Sequence, residues 1–265
     1  MKKRSINTIV SLAMLTAGTS SAALVGLWEF NDSGDLGKAT VGTDATLDTA
    51  TYGGAAITST AGVTGGDGAA AVPVDSMLAI NNPIGVNGGG TTRTNEYTIV
   101  FDIQIPTLAN WVSQISTDRS GDGDYFYSTS RGLGVSSEGY VDDSDPPSLV
   151  TANVWHRFVI SVDNGTARTT YVDGVDGSTV NGGHGSGGLD SRWSLTTVFD
   201  MFSDNGGNEE ALTNVSNLAL YDTALSAAEV TALGAVGTSL APVPEPSSAA
   251  LLGLGGLALI MRRRK

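Results

Sequence analysis

Short runs in which apolar and polar residues alternate fill the middle of the chain. In residues 97–105 every odd position is apolar, while Thr98, Asp102 and Gln104 occupy even positions. Alternation with a period of two predicts a β-strand that buries one face and exposes the other. The same reasoning predicts further strands at residues 24–30, 111–115, 158–162, 169–172, 198–202 and 215–221.

Two dipeptides between these runs predict tight reversals of the chain. Asn164-Gly165 separates two strand-like runs, and Asp173-Gly174 follows the second of them. Both pairs tolerate the positive φ values that tight hairpin turns require. Successive antiparallel strands are therefore expected here.

One short helix is predicted near the end of this region. Ser226 and Glu229 have the spacing of a capping box, in which each side chain accepts a hydrogen bond from the backbone N–H of the other residue. Leu225 and Val230 are placed as the accompanying hydrophobic staple, and Gly234 is placed to end the helix. Helices and strands do not alternate along the sequence, so two packed antiparallel sheets are expected instead of a parallel α/β sheet.

Three parts of the chain resemble, in order, parts of laminin-G-like domains. Residues 24–30 are similar to the opening strand, residues 154–158 and 171–174 to the central hairpin, and residues 217–230 to the closing strand and its short helix. The resemblance implies an all-β fold over residues 24–240. That fold is a concanavalin A-like jelly-roll β-sandwich of two antiparallel sheets with one short helix near its C-terminal end.

The N-terminal residues 1–23 have the three parts of a secretory signal peptide. Cationic residues at the start are followed by a short apolar stretch and then by small residues. Cleavage after Ala22 and cleavage after Ala23 fit this pattern equally well.

The C-terminal residues 241–265 resemble the PEP-CTERM sorting signal of Gram-negative bacteria. A Pro-Glu-Pro motif precedes thirteen uncharged residues and a basic end, and the residues that carry the resemblance are Pro244, Glu245, Pro246, Arg262, Arg263 and Arg264. The resemblance implies processing by an exosortase-type membrane enzyme and a membrane contact through the apolar segment. An ordinary membrane anchor is the alternative, although thirteen residues fall short of the roughly 20 that span a bilayer as a helix. With the signal peptide, the tail predicts a protein exported to the cell envelope or outer surface, or secreted after processing.

Most of the positive charge lies in the two terminal segments. The chain has 14 Lys and Arg and 27 Asp and Glu, of which 7 cations and 1 anion belong to the two ends, so residues 23–240 keep 7 cations and 26 anions, a formal charge of −19. Such a surface repels nucleic acid and anionic lipid and attracts divalent cations and basic partners. Nucleic-acid binding is therefore excluded, and solubility outside the cytoplasm is the simplest explanation of the acidity.

The sequence offers little for catalysis. It has no cysteine and two histidines, His156 and His184, whereas a zinc site takes three or four ligands. His156 is expected to pack or hydrogen-bond within a strand, and His184 lies among glycines that do not hold a base in place. The Glu-x-Asp-x-x-Glu arrangement of the related bacterial β-glucanases is missing, so glycoside hydrolysis, which needs two flanking carboxylates, is disfavoured.

Two acidic loops are candidate calcium sites. Calcium takes six to eight oxygen ligands, and both loops combine carboxylates with glycines that allow a tight wrap. Turns rich in Asx and glycine occur in many β-sandwiches, which is the alternative explanation. The candidate ligands are Asp118, Asp122 and Asp124 in the first loop and Asp204, Asn205 and Glu210 in the second.

Three aromatic residues are candidates for stacking against a sugar. Tyr125 and Tyr127 follow the first acidic loop and share one face of a strand by alternation, and Trp193 lies in a polar segment. Packing in the core is the alternative for each, because large aromatic side chains dominate sandwich cores.

Together these features predict an exported, non-enzymatic binding module. We expect it to recognise glycan or extracellular matrix in an exopolysaccharide or biofilm setting, with calcium as its candidate cofactor. A structural or adhesive protein that binds another envelope protein is one alternative, and a divergent glycoside hydrolase or lyase is another. Because a fold does not determine a function, the choice depends on the site.

Overall fold

Strands make up most of the regular structure in this computed structural model, which describes residues 22–119, 123–130, 132–135, 139–140, 149–176, 188–204 and 209–240. These residues contain fifteen strands and one helix. In chain order the strands are β1 (Leu24–Trp28), β2 (Thr46–Asp48), β3 (Thr58–Ala61), β4 (Gly68–Val72), β5 (Met77–Asn81), β6 (Glu96–Gln104), β7 (Val112–Ser116), β8 (Tyr125–Ser128), β9 (Gly132–Val135), β10 (Gly139–Tyr140), β11 (Trp155–Asp163), β12 (Ala167–Val172), β13 (Val175–Asp176), β14 (Val198–Met201) and β15 (Thr213–Tyr221). The helix is α1 (Ala227–Ala232).

The strands form two antiparallel sheets, as predicted. The eight-stranded sheet has the order β13-β12-β11-β6-β15-β4-β3, and β1 pairs with β15 beside β4. The seven-stranded sheet has the order β10-β9-β8-β7-β14-β5-β2. Successive segments of the chain alternate between the two sheets, so the chain crosses repeatedly between them, as in the predicted jelly roll of two antiparallel sheets.

Strand β6 is buried on both faces, which corrects the expectation of one exposed face. Its odd positions enter the core between the sheets as predicted, but Thr98 and Asp102 are also fully buried. A second apolar cluster covers the outer face of the eight-stranded sheet and includes Val100 from β6 and Val230 from α1. The alternation therefore predicted the strand correctly, but it did not predict that both of its faces are buried.

The two predicted reversals differ in their backbone geometry. Asp173 and Gly174 have φ values of 49° and 82°, as the predicted tight turn requires. Neither Asn164 nor Gly165 has a positive φ, and the hairpin loop between the two strands also includes Thr166. Asp163 stabilises it instead, because its Oδ1 accepts a hydrogen bond from the Gly165 N–H at 2.9 Å.

Helix α1 begins and ends as the sequence predicts. Ser226 is its N-cap, and both hydrogen bonds of the capping box with Glu229 are present. Leu225 and Val230 are both buried in the outer apolar cluster. Gly234 follows the helix with a φ of 76°, a conformation that glycine adopts without strain.

A buried ion pair attaches the segment after α1 to the centre of the eight-stranded sheet. Arg157 of β11 faces Asp102 of β6 and binds both carboxylate oxygens, at 2.7 and 2.8 Å. The same guanidinium donates to the carbonyls of Leu233 and Thr238, each at 2.7 Å. Asp102 in turn accepts from the Gly237 N–H at 3.0 Å. One ion pair thus fixes the last described part of the chain.

The described residues belong to one compact unit that runs from Ala22 to Val243. At its start Ala22 is buried, and the N–H of Ala23 donates to Asp222 Oδ1 at 2.8 Å. The other residues predicted for sorting, Pro244, Glu245, Pro246, Arg262, Arg263 and Arg264, lie outside the described residues. Within the described ranges, no helix is long and apolar enough to cross a membrane.

Candidate functional site

A buried carboxylate lies on the outer face of the seven-stranded sheet. Asp200 belongs to β14, where its neighbours Phe199 and Met201 point into the core between the sheets. Alternation along the strand therefore points Asp200 the opposite way, away from the core. It pairs across the sheet with Ala79 of β5 and Ser116 of β7, so it lies in the middle of that face.

Arg119 connects Asp200 to a second carboxylate. Its Nε lies 2.9 Å from Asp200 Oδ2, and its Nη2 lies 2.9 Å from Asp48 Oδ2. The exposed fraction of the side chain rises from 4% for Asp200 to 16% for Asp48 and 33% for Arg119. Asp200 is thus the floor of the site, and Arg119 is its rim.

One oxygen of Asp200 has no hydrogen-bond donor in the described structure. Oδ1 is buried without a partner, although such an oxygen ordinarily accepts hydrogen bonds from protein or water. Burial raises the pKa of Asp200 from 3.8 to about 6, even though Arg119 acts in the opposite direction. Asp48 differs: burial is outweighed by hydrogen bonds from Thr51, Ala50 and Arg119, so its pKa falls below 3.8.

A tyrosine and two more carboxylates complete what we call the Asp200 cluster: Asp48, Tyr52, Arg119, Asp200, Asp204 and Glu210. Tyr52 is half-buried, and its pKa is raised first by burial and then by three carboxylates, those of Asp200, Asp204 and Glu210. Glu210 Oε1 accepts from the Asp204 N–H at 2.8 Å, and burial raises its pKa. The cluster therefore combines hydrogen-bond acceptors, one guanidinium and one aromatic ring.

The two acidic loops contact each other, but their described carboxylates are bound by protein donors. Asp204 Oδ1 accepts from the Gly123 N–H at 2.8 Å, which joins the loops. Asp124 is buried between Thr117 and Arg192, whose Nε lies 2.6 Å from it, and its pKa is raised by that burial. Asp118 lies 3.5 Å from Arg93.

The calcium expectation stays a prediction. Within the described ranges, no three acidic or histidine side chains are grouped so that they hold a metal ion. The candidate ligands Asp122 and Asn205 lie outside those ranges.

The two tyrosines of β8 are core residues, which corrects the expectation that they form a sugar platform. Tyr125 and Tyr127 share one face as predicted, but their exposed fractions are 0% and 1%. Phe126 points the other way and packs edge-on against Trp111, with ring centroids 6.4 Å apart. A sugar cannot stack on the two buried rings, so the core alternative applies to them.

Trp193 is half-buried, and one face of its indole is already covered. The guanidinium carbon of Arg168 lies 3.6 Å from its ring centroid, a cation–π contact. Its backbone carbonyl accepts a hydrogen bond from the Tyr97 hydroxyl at 2.8 Å. Trp193 therefore helps to hold one end of the sandwich, and its use in sugar binding stays a prediction.

His156 has the hydrogen-bonded role predicted for it. Its Nε2 accepts from the Thr151 N–H at 3.0 Å, so the ring proton lies on Nδ1, which donates to Asp173 at 2.6 Å. Both ring nitrogens are engaged, and the histidine is not available as a base. His184 lies outside the described residues.

Sequence reasoning missed the centre of the Asp200 cluster. One signal was present: Asp200 interrupts the apolar run Val198–Met201 at a position that alternation directs away from the core. Asp48, Tyr52 and Arg119 come from separate loops and strand ends, and only the fold brings them together.

Comparison with known proteins places the chain in a family. The family model described as the concanavalin A-like lectin/glucanases superfamily matches residues 75–231, more than half of the 265 residues. The model of the PEP-CTERM protein-sorting motif matches residues 242–265, which confirms the resemblance of the tail and indicates export to a bacterial cell envelope. No curated protein matches the chain.

Solved structures share the fold at low sequence identity. Domain 4 of AbnA, a GH43 extracellular arabinanase from Geobacillus stearothermophilus solved with arabinotriose, matches with a TM-score of 0.55 and 17% identity over 81% of this chain and 99% of that one. The botulinum neurotoxin serotype D binding domain matches with a TM-score of 0.53 and 13% identity over 79% of this chain and 50% of that one.

The binding domain of Paraclostridial Mosquitocidal Protein 1 matches with a TM-score of 0.51 and 13% identity, over 80% of this chain and 51% of that one. The chain thus spans about half the length of both toxin domains. Such likeness shows the fold alone, whereas the family model covers strands of both sheets and most of helix α1. With a jelly roll of two antiparallel sheets and a match over most of its length, this chain belongs to the concanavalin A-like lectin/glucanases superfamily.

Proposed function

We propose that this protein is an exported, non-enzymatic module that binds glycan at the Asp200 cluster. The observation that carries the proposal is the Asp200 carboxylate, which is buried, has one oxygen without a described donor, and lies beside Arg119. Sugar hydroxyls donate to carboxylates and accept from guanidinium groups, and Tyr52 supplies an aromatic ring nearby. Polar groups that converge beside one ring are typical of small-ligand sites.

The setting of the site supports binding at the cell envelope. The sorting motif at residues 242–265 favours handling by an exosortase-type enzyme in a Gram-negative bacterium, with a membrane contact through the tail. A structural neighbour, the arabinanase domain, was solved with arabinotriose, which supports a carbohydrate ligand for this fold. We therefore place the ligand among extracellular polysaccharides.

Binding without hydrolysis fits the arrangement of the acids better than catalysis does. A glycosidase needs one carboxylate as acid and another as base or nucleophile on either side of the scissile bond. Here Asp48 and Asp200 bind the same guanidinium, which makes it harder for them to act separately as acid and as base.

One observation favours a second candidate, a divergent glycoside hydrolase or lyase. The Asp200 pKa of about 6 suits a general acid near neutral pH. Release of reducing ends or unsaturated products from a polysaccharide panel by the wild type, and its loss in Asp200→Asn, would establish this second activity in place of the first.

Binding is tested with the protein of residues 23–240, a glycan array and calorimetry. Arg119→Ala and Tyr52→Ala are expected to weaken binding of the array ligand at least tenfold, because each removes one part of the site. Lys38→Ala is the matched control, since Lys38 is an exposed cation 3.8 Å from exposed Asp32. Full binding by both site variants would contradict the proposal.

Calcium remains part of the proposal, at the joined loops that contain Asp118 to Asp124 and Asp204 to Glu210. A bound ion stabilises the folded state by mass action, so calcium is expected to raise the melting temperature and a chelator to lower it. Equal melting temperatures in the two conditions would remove calcium from the proposal.

A further inference from the structure

We propose that the Asp200 cluster selects a cationic glycan, one with free amino groups on its sugar rings. The inference rests on the proposed function and specifies the ligand class of the same site. Two carboxylates, those of Asp48 and Asp200, share the single guanidinium of Arg119. The groups that face Asp200 or share its cluster come from β2, the loops after β2, β7 and β14, and the segment before β15: Asp48, Tyr52, Arg119, Asp204 and Glu210.

The charge of Arg119 is already shared between two carboxylates. Its Nε and Nη2 are used by Asp200 and Asp48, each at 2.9 Å. Asp204 and Glu210 are bound by backbone N–H groups, Asp204 by that of Gly123 and Glu210 by those of Asp204 and Asp75. One guanidinium shared by two carboxylates leaves Asp48 and Asp200 with one negative charge in excess, which a second cation offsets.

The unpartnered oxygen of Asp200 is an independent sign of a ligand. Oδ1 belongs to a side chain that is 4% exposed, and no described residue donates to it. An ammonium group has three N–H donors and a positive charge, so it satisfies Oδ1 and offsets the excess of carboxylates at once. A neutral sugar hydroxyl supplies a donor without the charge.

Reaching Oδ1 requires one side chain to move. Arg119 lies at the rim, is one-third exposed, and extends from a backbone with a φ of 61°. When the Arg119 Nε releases Asp200 and Nη2 keeps its contact with Asp48, the ammonium of the ligand binds beside Asp200 as the second cation. Tyr52 then lies beside the sugar ring that carries the amine.

The rest of the molecule favours the same class of ligand. Residues 23–240 have a formal charge of −19, and a field of that sign raises the local concentration of polycations and repels acidic polysaccharides. A polymer of amino sugars is therefore attracted at long range and selected at the site, whereas uronic acid polymers are excluded at both stages.

Calorimetry with three defined trisaccharides tests the inference in the protein of residues 23–240. The probes are glucosamine trimer, N-acetylglucosamine trimer and galacturonic acid trimer, at a pH of about 6.5, where Asp200 is mostly ionised. We expect glucosamine trimer to bind at least tenfold more tightly than the acetylated trimer, and the acidic trimer not to bind. Lowering the pH to about 5 is expected to weaken glucosamine trimer several-fold, because Asp200 takes up a proton.

Asp200→Asn keeps the size of the side chain and removes its charge, so it is expected to abolish the preference for the amine. Asp48→Asn is a second variant at a more exposed position of the cluster, and Asp35→Asn, at an exposed loop residue, is the matched control. Spermidine, a polyamine without sugar rings, reports attraction by charge alone. We expect it to bind at least tenfold more weakly than glucosamine trimer.

Each contrary result has one meaning. Equal binding of the acetylated and free trimers, lost in Tyr52→Ala, would overturn the cationic preference and leave glycan binding intact. An undiminished preference for glucosamine trimer in both Asp200→Asn and Asp48→Asn would also overturn it, because the surface charge would then be responsible. Failure of every probe and of the whole glycan array would overturn the proposed function itself.

Discussion

Replacing the buried Asp200 carboxyl with an amide is expected to stabilise the folded protein at neutral pH. Asp200→Asn preserves the shape of the side chain and an acceptor for the Arg119 Nε–H, but it removes the ionised form that burial disfavours. The sign is unusual for a residue in an ion pair, since breaking such a pair ordinarily destabilises a protein.

The size of the effect follows from the pKa of Asp200. A rise from 3.8 in the unfolded chain to about 6 in the folded one makes the folded state prefer the protonated carboxyl. Each tenfold change in proton affinity corresponds to about 1.4 kcal/mol, so the preference amounts to roughly 3 kcal/mol. This stability is fully present below pH of about 4 and is lost as the pH rises through about 6.

Chemical denaturation of wild type, Asp200→Asn and the exposed control Asp35→Asn between pH of about 4 and 8 measures this difference. The two proteins that differ at Asp200 should have similar free energies of unfolding at the acidic end. The variant should be more stable by roughly 3 kcal/mol at the alkaline end, or about 6–12 °C in melting temperature. A constant difference across this range, or a variant that is less stable at pH 8, would show that the ion pair with Arg119 outweighs burial.

Three further changes test the fold. Arg157→Met leaves Asp102 buried without its cation and is expected to cost about 3–5 kcal/mol in the free energy of unfolding, whereas the double variant with Asp102→Leu should recover much of that loss. Ser226→Ala removes the N-cap of α1 and should cost about 1 kcal/mol. Tyr127→Ala should cost about 3–5 kcal/mol, as truncation of a buried aromatic does, without weakening ligand binding. Urea denaturation measures all three, and a loss below about 1 kcal/mol in Arg157→Met or Tyr127→Ala would contradict the structure.

Sequence patterns predicted correctly those elements that depend on residues close together in the chain. The alternation in residues 97–105 gave β6 to within one residue at each end, and the spacing of Ser226 and Glu229 gave both the start of α1 and its capping box. Short strands such as β2 and β13, with three and two residues, are too brief to show a period. Such strands form because they pair with neighbouring strands, and their own sequences do not reveal that pairing.

The site depends on contacts between distant parts of the chain. Alternation predicted that Tyr125 and Tyr127 share a face, but it could not say that this face is the core, because both faces of a β-strand have the same period. Asp48, Arg119 and Asp200 meet because β2, β7 and β14 belong to one sheet. The ion pairs of Arg119 with Asp48 and Asp200 join residues that are 71 and 81 positions apart, so a local pattern cannot predict them.

The contacts of Arg157 have a consequence when the protein is under mechanical load. Thr238, whose carbonyl accepts from Arg157, lies four residues before the sorting motif that begins at residue 242. If the tail is held at the envelope while a polymer pulls on the Asp200 cluster, tension enters through Arg157 and Asp102 on the two neighbouring central strands β11 and β6. The load then has to cross the packed core to reach the seven-stranded sheet. We therefore expect the domain to resist unfolding as a unit, without an edge strand detaching first.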